Sequence, residues 1–157
     1  MNSLLETSIQ RINTLDTRLV HPAMRVFDKC HKNKIPIYIV WGKRTYEQQD
    51  LMYRHGRSIP SPILTTNRAG RSAHNYGLAL DFCMTFGNEL MSWEEVYPRW
   101  YWRQKWLKAV KYFEEEGWTA KWRDPDFEPG HVENLLGNDI ANLYEQDDIR
   151  NNRLKNI

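Results

Sequence analysis

SAHNYGLALDFCM, Ser72 to Met84, sets a histidine and, seven residues later, an acid inside an otherwise apolar run. A carboxylate between Leu80 and Phe82 is costly to bury alone, so Asp81 calls for a hydrogen-bond network, a basic partner or a metal. On one helix, His74 and Asp81 would lie two turns apart, roughly 10 Å along the axis. That is too far for both to grip one ion at about 2 Å. The chain between them must fold back; Gly77 supplies the backbone freedom and Ala79 keeps the surroundings small. The stretch therefore reads as a loop histidine followed by a strand, Leu78 to Met84, that carries the aspartate.

Upstream, Ile37 to Trp41 is β-branched and aromatic between Pro36 and Gly42, the pattern of a buried strand. Tyr46 to His55 reads as a helix ended by Gly56, and helices are expected over about Leu4 to Leu19 and over Pro22 to Asn33. In the latter, proline sits near the first turn, and Ala23, Val26, Phe27 and Cys30 recur at helical steps. Arg57 to Ala73 is a long loop, of the kind that often carries function. Downstream, Ser92 with Glu95 forms a capping box, and Trp102, Trp106, Ala109, Val110 and Phe113 mark one helical face that ends at Gly117. Trp118 to Trp122 and His131 to Glu133 are short strands, Asn138 to about Glu145 a last helix, and QDDIRNNRLKNI a polar tail that frays or adds a helical turn. The expected class is α+β: a small antiparallel sheet flanked by helices, one domain over 1–157 with its core at about 37–133.

The 157 residues suffice for one domain with a real core. Hydrophobic content of 41% with 13% aromatic residues argues against disorder, although mean hydropathy is −0.74. A net charge of +2 with interleaved signs does not favour nucleic acid as partner. Cys30 and Cys83 have no metal-type spacing and read as reduced, buried residues. The first residues lack the apolar core of a signal peptide, and no stretch approaches a membrane span. The expected place of synthesis is the cytoplasm, with no insertion into a membrane.

A catalytic zinc site usually takes three protein ligands and leaves a position for water. FEPGHVE, Phe127 to Glu133, supplies the third ligand. A turn through Pro129 and Gly130 points His131 at the ion and leaves Glu128 beside the water, able to take its proton. Two histidines and an aspartate with one open position activate water for attack on a carbonyl.

Ser72, His74, Gly77, Ala79 and Asp81 then match the SxHxxGxAxD pattern, and Glu128 with His131 the downstream ExxH, of a zinc peptidase superfamily. That superfamily includes D-alanyl-D-alanine carboxypeptidases and phage L-alanyl-D-glutamate endopeptidases, and the chain resembles the latter. GKRTYEQQDLMYRHGR, Gly42 to Arg57, is similar to the segment that flanks the site from upstream, and TTNRAGRSAHNYGLALDF resembles the phage branch. Glu128 stands where many phage relatives carry aspartate, and Val132 where they carry an aromatic residue. The resemblance implies Zn2+ on His74, Asp81 and His131, Glu128 as general base and then acid, and Arg44 as the group that stabilises the oxyanion. It implies substrate contact or support of the ligands for Gln49 and Ser72.

It further implies a monomeric endolysin that cuts the L-Ala–D-Glu bond of the peptidoglycan stem peptide. Such an enzyme waits in the cytoplasm of the host until a holin opens the membrane, then acts on the periplasmic wall. A D-alanyl-D-alanine carboxypeptidase is the nearest alternative, and a zinc-stabilised wall-binding module without turnover is the alternative of another class; a non-ligating Glu128 argues against that module. Among blander readings, Asp81 pairs internally with Arg44 or Arg71, Glu128 caps a turn, and Arg44 pairs with a surface acid. His21, His31 and His55 read as surface or capping residues. Of the tryptophans, Trp102 and Trp106 are expected in the core, and one or two others in a substrate groove.

Overall fold

The computed structural model describes residues 3–155. Helix α1, Leu4–Ile12, starts at a Ser3/Glu6 capping box. Helix α2, Thr17–Lys32, is capped by Asp16, whose side chain accepts from Arg18 N. The single helix expected over Leu4 to Leu19 is thus two, because Asp16 caps a new start that apolar periodicity does not register. As a result Pro22 sits inside α2, as its sixth residue, rather than in its first turn. The carbonyl it leaves without an N–H belongs to exposed Arg18, where water is available.

Strand β1, Ile37–Trp41, is followed by helix α3, Tyr46–Arg54, and by the long loop. A 3-10 turn, Ala73–Tyr76, leads through Gly77 into strand β2, Ala79–Phe86. Gly77 holds φ at +68°, and a Cβ there would stand 2.6 Å from Asp16 N, whose N–H donates to Gly77 O. Strand β3, Glu89–Met91, pairs with β2 across Gly87 and Asn88; three residues are too few for a periodic signal, and the strand was not expected. The Ser92/Glu95 box opens only a single turn, α4, Trp93–Val96. The long helix α5 begins afresh at Trp100 and runs to Glu115.

Strands β4, Thr119–Ala120, and β5, His131–Glu133, complete an antiparallel sheet of order β1-β2-β5-β4, with β3 on the other part of β2. Helix α6, Ile140–Lys155, is longer than expected and takes in most of the polar tail; residues 156 and 157 lie outside the described residues.

The core lies between the sheet and α2 and α5. Phe27, Ile39, Leu80, Met84, Trp106 and Phe113 are buried at its centre, and Phe82 stacks against both Trp106 and Phe113. Trp106 is in the core as expected, while Trp102 is only partly buried and meets Phe86 edge to face. Cys30 and Cys83 are unpaired, and burial pushes their thiols up to about 12 and about 11. No helix among the described residues is long and apolar enough to cross a membrane.

Candidate metal and catalytic site

Register brings the central residues together. Asp81 on β2 lies opposite Trp41 on β1 and opposite His131 on β5, so three neighbouring strands present these side chains in one row. His74 reaches the same row from the 3-10 turn. Its backbone carbonyl accepts from Arg44 N at 2.9 Å, and its ring Nδ1 lies 2.9 Å from Gly42 O. Gly42 in turn packs against the end of α1, where a Cβ would meet Arg11 O at 2.2 Å.

These outer contacts set which ring atoms face inward. A carbonyl only accepts, so His74 Nδ1 donates to Gly42 and Nε2 faces the cluster. His131 Nε2 stands 3.1 Å from Glu133 Oε2, leaving Nδ1 toward the cluster. His131 Nδ1 lies 2.9 Å from Asp81 Oδ1 and 3.2 Å from His74 Nε2, and His74 Nε2 lies 3.3 Å from Asp81 Oδ2. A tetrahedral ion bound at about 2.0–2.1 Å separates its ligand atoms by about 3.3 Å. The donor set fits zinc in chemistry and spacing, and all three residues are buried.

Burial opposes the charge on Asp81, but His74 and His131 outweigh it and hold the carboxyl well below its usual range. For His131 burial acts downward, and hydrogen bonds to Asp81 and Glu133 overcome it, pushing the ring up to about 9. Glu133 also meets Lys121 at 3.2 Å. It is therefore the outer carboxylate that orients the His131 ring. Its signal was present in the sequence: two residues after His131 on a strand, it shares that face.

His131 is delivered by the turn expected through Pro129 and Gly130, closed by His131 N donating to Glu128 O at 2.9 Å. Gly130 lies against β2: Phe82 N donates to Gly130 O, and a Cβ on Gly130 would stand 1.8 Å from Phe82 O. Glu128 lines a cavity of about 310 Å³ whose wall also includes His74, Asp81 and His131. Partial burial, then the charges of Asp81 and Glu94, raise its carboxyl above the usual range, with His131 opposing.

Arg44 is buried, its Nη2 3.5 Å from Asp81 Oδ2 and its guanidinium over the Trp41 ring. The internal Arg44–Asp81 contact and the metal cluster therefore coexist, whereas Arg71 lies over Tyr144. Gln49 is fully buried; it accepts from Arg44 Nη1 at 2.7 Å and donates to Asn67 O at 2.7 Å. Ser72 lines the cavity and its Oγ accepts from His74 N at 3.3 Å. Asn75, unremarked in the sequence, accepts from Gly70 N and Ser72 N and donates to the carbonyls of Arg44 and Thr45. Much of the remaining lining is apolar, with Met84, Met91, Trp93, Val96 and Trp106, while Thr65, Asn67 and Asp126 are polar. The groove tryptophans are thus Trp41 and Trp93, beside the core residue Trp106. His31 Nε2 lies 3.1 Å from Ile37 O and His55 Nδ1 2.8 Å from Ser61 Oγ, both away from the cluster.

The model of the D-alanyl-D-alanine carboxypeptidase family matches residues 65–134, which contain His74, Asp81, Glu128 and His131. The peptidoglycan L-alanyl-D-glutamate endopeptidase CwlK of Bacillus subtilis is 33% identical over 92 residues, 57% of this chain and 55% of CwlK. The chain thus matches about half the length of that relative. Among solved structures, the L-Ala D-Glu endopeptidase ChiX of Serratia marcescens is similar with a TM-score of 0.53 at 20% identity, over 83% of this chain and 88% of ChiX. The vancomycin-resistance D,D-pentapeptidase VanY, as a variant in complex with Zn(II), is similar with a TM-score of 0.56 at 16% identity, over 85% and 79%. At such identities the two solved structures speak for a common fold.

Proposed function

We propose that the chain is a zinc-dependent peptidoglycan peptidase of the D-alanyl-D-alanine carboxypeptidase-like superfamily that cuts the L-Ala–D-Glu bond of the stem peptide, a reading supported by the family match over residues 65–134 and by the likeness to CwlK. The observation that carries this reading is the convergence of His74 Nε2, the Asp81 carboxylate and His131 Nδ1 within 3.3 Å, with Glu128 lining the same cavity. Zinc on those three residues would lower the pKa of a bound water and polarise the scissile carbonyl. Glu128 accepts a proton from the attacking water and returns it to the leaving amine, and its raised pKa suits both directions. Arg44 holds positive charge against the cavity where the oxyanion develops, and Gln49 fixes its fork. Ser72 holds the backbone of His74 in place.

The likeness to CwlK supports the endopeptidase bond, and the likeness of the Thr65 to Phe82 stretch to phage enzymes supports a lytic role. In that role the protein is a monomeric endolysin, held in the host cytoplasm until a holin opens the way to the wall. The test is mass spectrometry of muropeptides incubated with the zinc-loaded protein and with Glu128→Ala. Release of a peptide beginning at D-glutamate by the parent alone is the expected result. Loss of only a terminal D-alanine makes the protein a carboxypeptidase, and intact muropeptides with zinc bound make it a binding module.

A further inference from the structure

From Leu51 to Leu80 the chain carries Arg54, Arg57, Arg68 and Arg71 and not one aspartate or glutamate. None of the four makes an ion pair among the described residues, whereas Arg18, Arg25, Lys29, Arg44 and Lys121 all do. A merely solvated face interleaves its charges; here repulsion is left uncompensated. Two of the arginines are also held together. The guanidinium of Arg57 lies 3.7 Å from the centre of the Tyr53 ring and that of Arg68 lies 5.2 Å from the same centre. Arg57 Nη1 is fixed by the carbonyls of Tyr53 and Thr65, which leaves the remaining N–H groups of the fork free.

This pair stands beside the wall of the cleft. Leu64, Thr65 and Asn67 line the cavity, so Arg57 is bonded to a lining residue and Arg68 follows one directly. Gln49 ties Asn67 to Arg44, which anchors that stretch of the wall to the catalytic side. The same lining also carries the other sign, in Asp126 and Glu128.

We propose that Arg57 and Arg68, gathered on Tyr53, form a carboxylate-binding rim that takes the free carboxylates of the stem peptide beyond the scissile bond. The proposal rests on the peptidase reading above and deepens it. An L-Ala–D-Glu bond in the wall is followed by a D-glutamate linked onward through its side chain, so its α-carboxylate stays free. Planar guanidinium forks match such groups, and the carboxylates of Asp126 and Glu128 disfavour them at their own part of the lining. The rim therefore also sets the direction in which the peptide lies.

The experiment compares muropeptides with free carboxylates and the same muropeptides with those carboxylates converted to amides. Binding is read with Glu128→Gln, which does not turn over, and KM with the parent protein. The expected result is binding of the free form about fivefold tighter than the amide, a gap that narrows in 0.5 M salt. Adding Arg57→Gln and Arg68→Gln closes the gap; Arg68→Glu alone, at an exposed side chain, reverses it and serves if the double variant folds poorly. Equal binding of both forms overturns the rim, as does a preference that survives both sets of substitutions, even if they weaken binding to another polyanion such as DNA. If the parent cleaves neither form while the binding gap and its loss are seen, the rim stands and the peptidase reading fails.

Discussion

Gln49 Oε1 receives a 2.7 Å hydrogen bond from Arg44 Nη1, and its amide donates at equal length to Asn67 O, so one fully buried side chain joins Arg44 to the loop. Removing it with Gln49→Ala leaves Arg44 Nη1 and Asn67 O without this partner, at a cost of about 1–3 kcal/mol of stability. Turnover falls while zinc content measured by atomic absorption stays near one per chain. Gln49→Glu keeps an acceptor for Arg44 but has no donor for Asn67, and it should recover more kcat than Gln49→Ala. Equal kcat in the two variants would show that Arg44 does not depend on this bond.

Glu133 touches His131, one of the three residues that could hold the ion, on the ring nitrogen that faces away from the other two. Replacing it with glutamine removes the charge that orients the ring and weakens zinc binding about 10- to 100-fold. Competition with a chelator reads the change. Replacing His131 with alanine removes a ligand outright, so a Glu133→Gln variant as poor in zinc as His131→Ala would contradict the supporting role.

Gly130 tolerates no side chain. With a Cβ 1.8 Å from Phe82 O, Gly130→Ala must push β5 off β2, costing about 3 kcal/mol or more. Thermal unfolding should show a midpoint lowered by about 6 °C or more. A midpoint within a degree of the parent would mean that the strands have slack there.

Zinc uptake releases a proton. The pKa of His131 in the metal-free protein is raised from 6.5 to about 9, so its ring pairs stabilise that state fully below about pH 6.5 and lose their contribution as pH rises through about 9. The ion needs the Nδ1 lone pair, and apparent zinc affinity therefore climbs by up to about tenfold per pH unit over that window. Calorimetry at pH 7 in two buffers of different ionisation enthalpy should register about one proton passed to the buffer. A heat that is the same in both buffers would contradict the protonated ring.

Much of the site was legible because its chemistry is written in side-chain type and spacing. The clustering of His74, Asp81 and His131, with Glu128 in the same cavity lining, was legible in an acid in an apolar run, a glycine that lets the chain turn back, and a proline-glycine turn before a histidine. Strand β1 and strand β5 were found for a related reason: short apolar runs bounded by proline and glycine have few other solutions. What stayed hidden depends on partners remote in the chain. The break at Asp16 is stabilised by a bond to Gly77, 61 residues away, and Gly42 is required by the end of α1 rather than by its neighbours. Strand β3 exists because β2 runs on past the core to offer it an edge. The pairing of Gln49 with Arg44 spans only five residues but needs the loop carbonyl of Asn67 to complete it.

The place of β5 in the sheet has a temporal consequence. It is the last strand in the chain, yet it lies between β2 and β4. A growing polypeptide can pair β1 with β2 long before His131 is made, but Asp81 and His74 then face an empty lane. Neither the third ligand nor Glu128 arrives until that lane is filled. A fragment cut before His131 consequently lacks the full cluster, which forms only when the closing strand slots in.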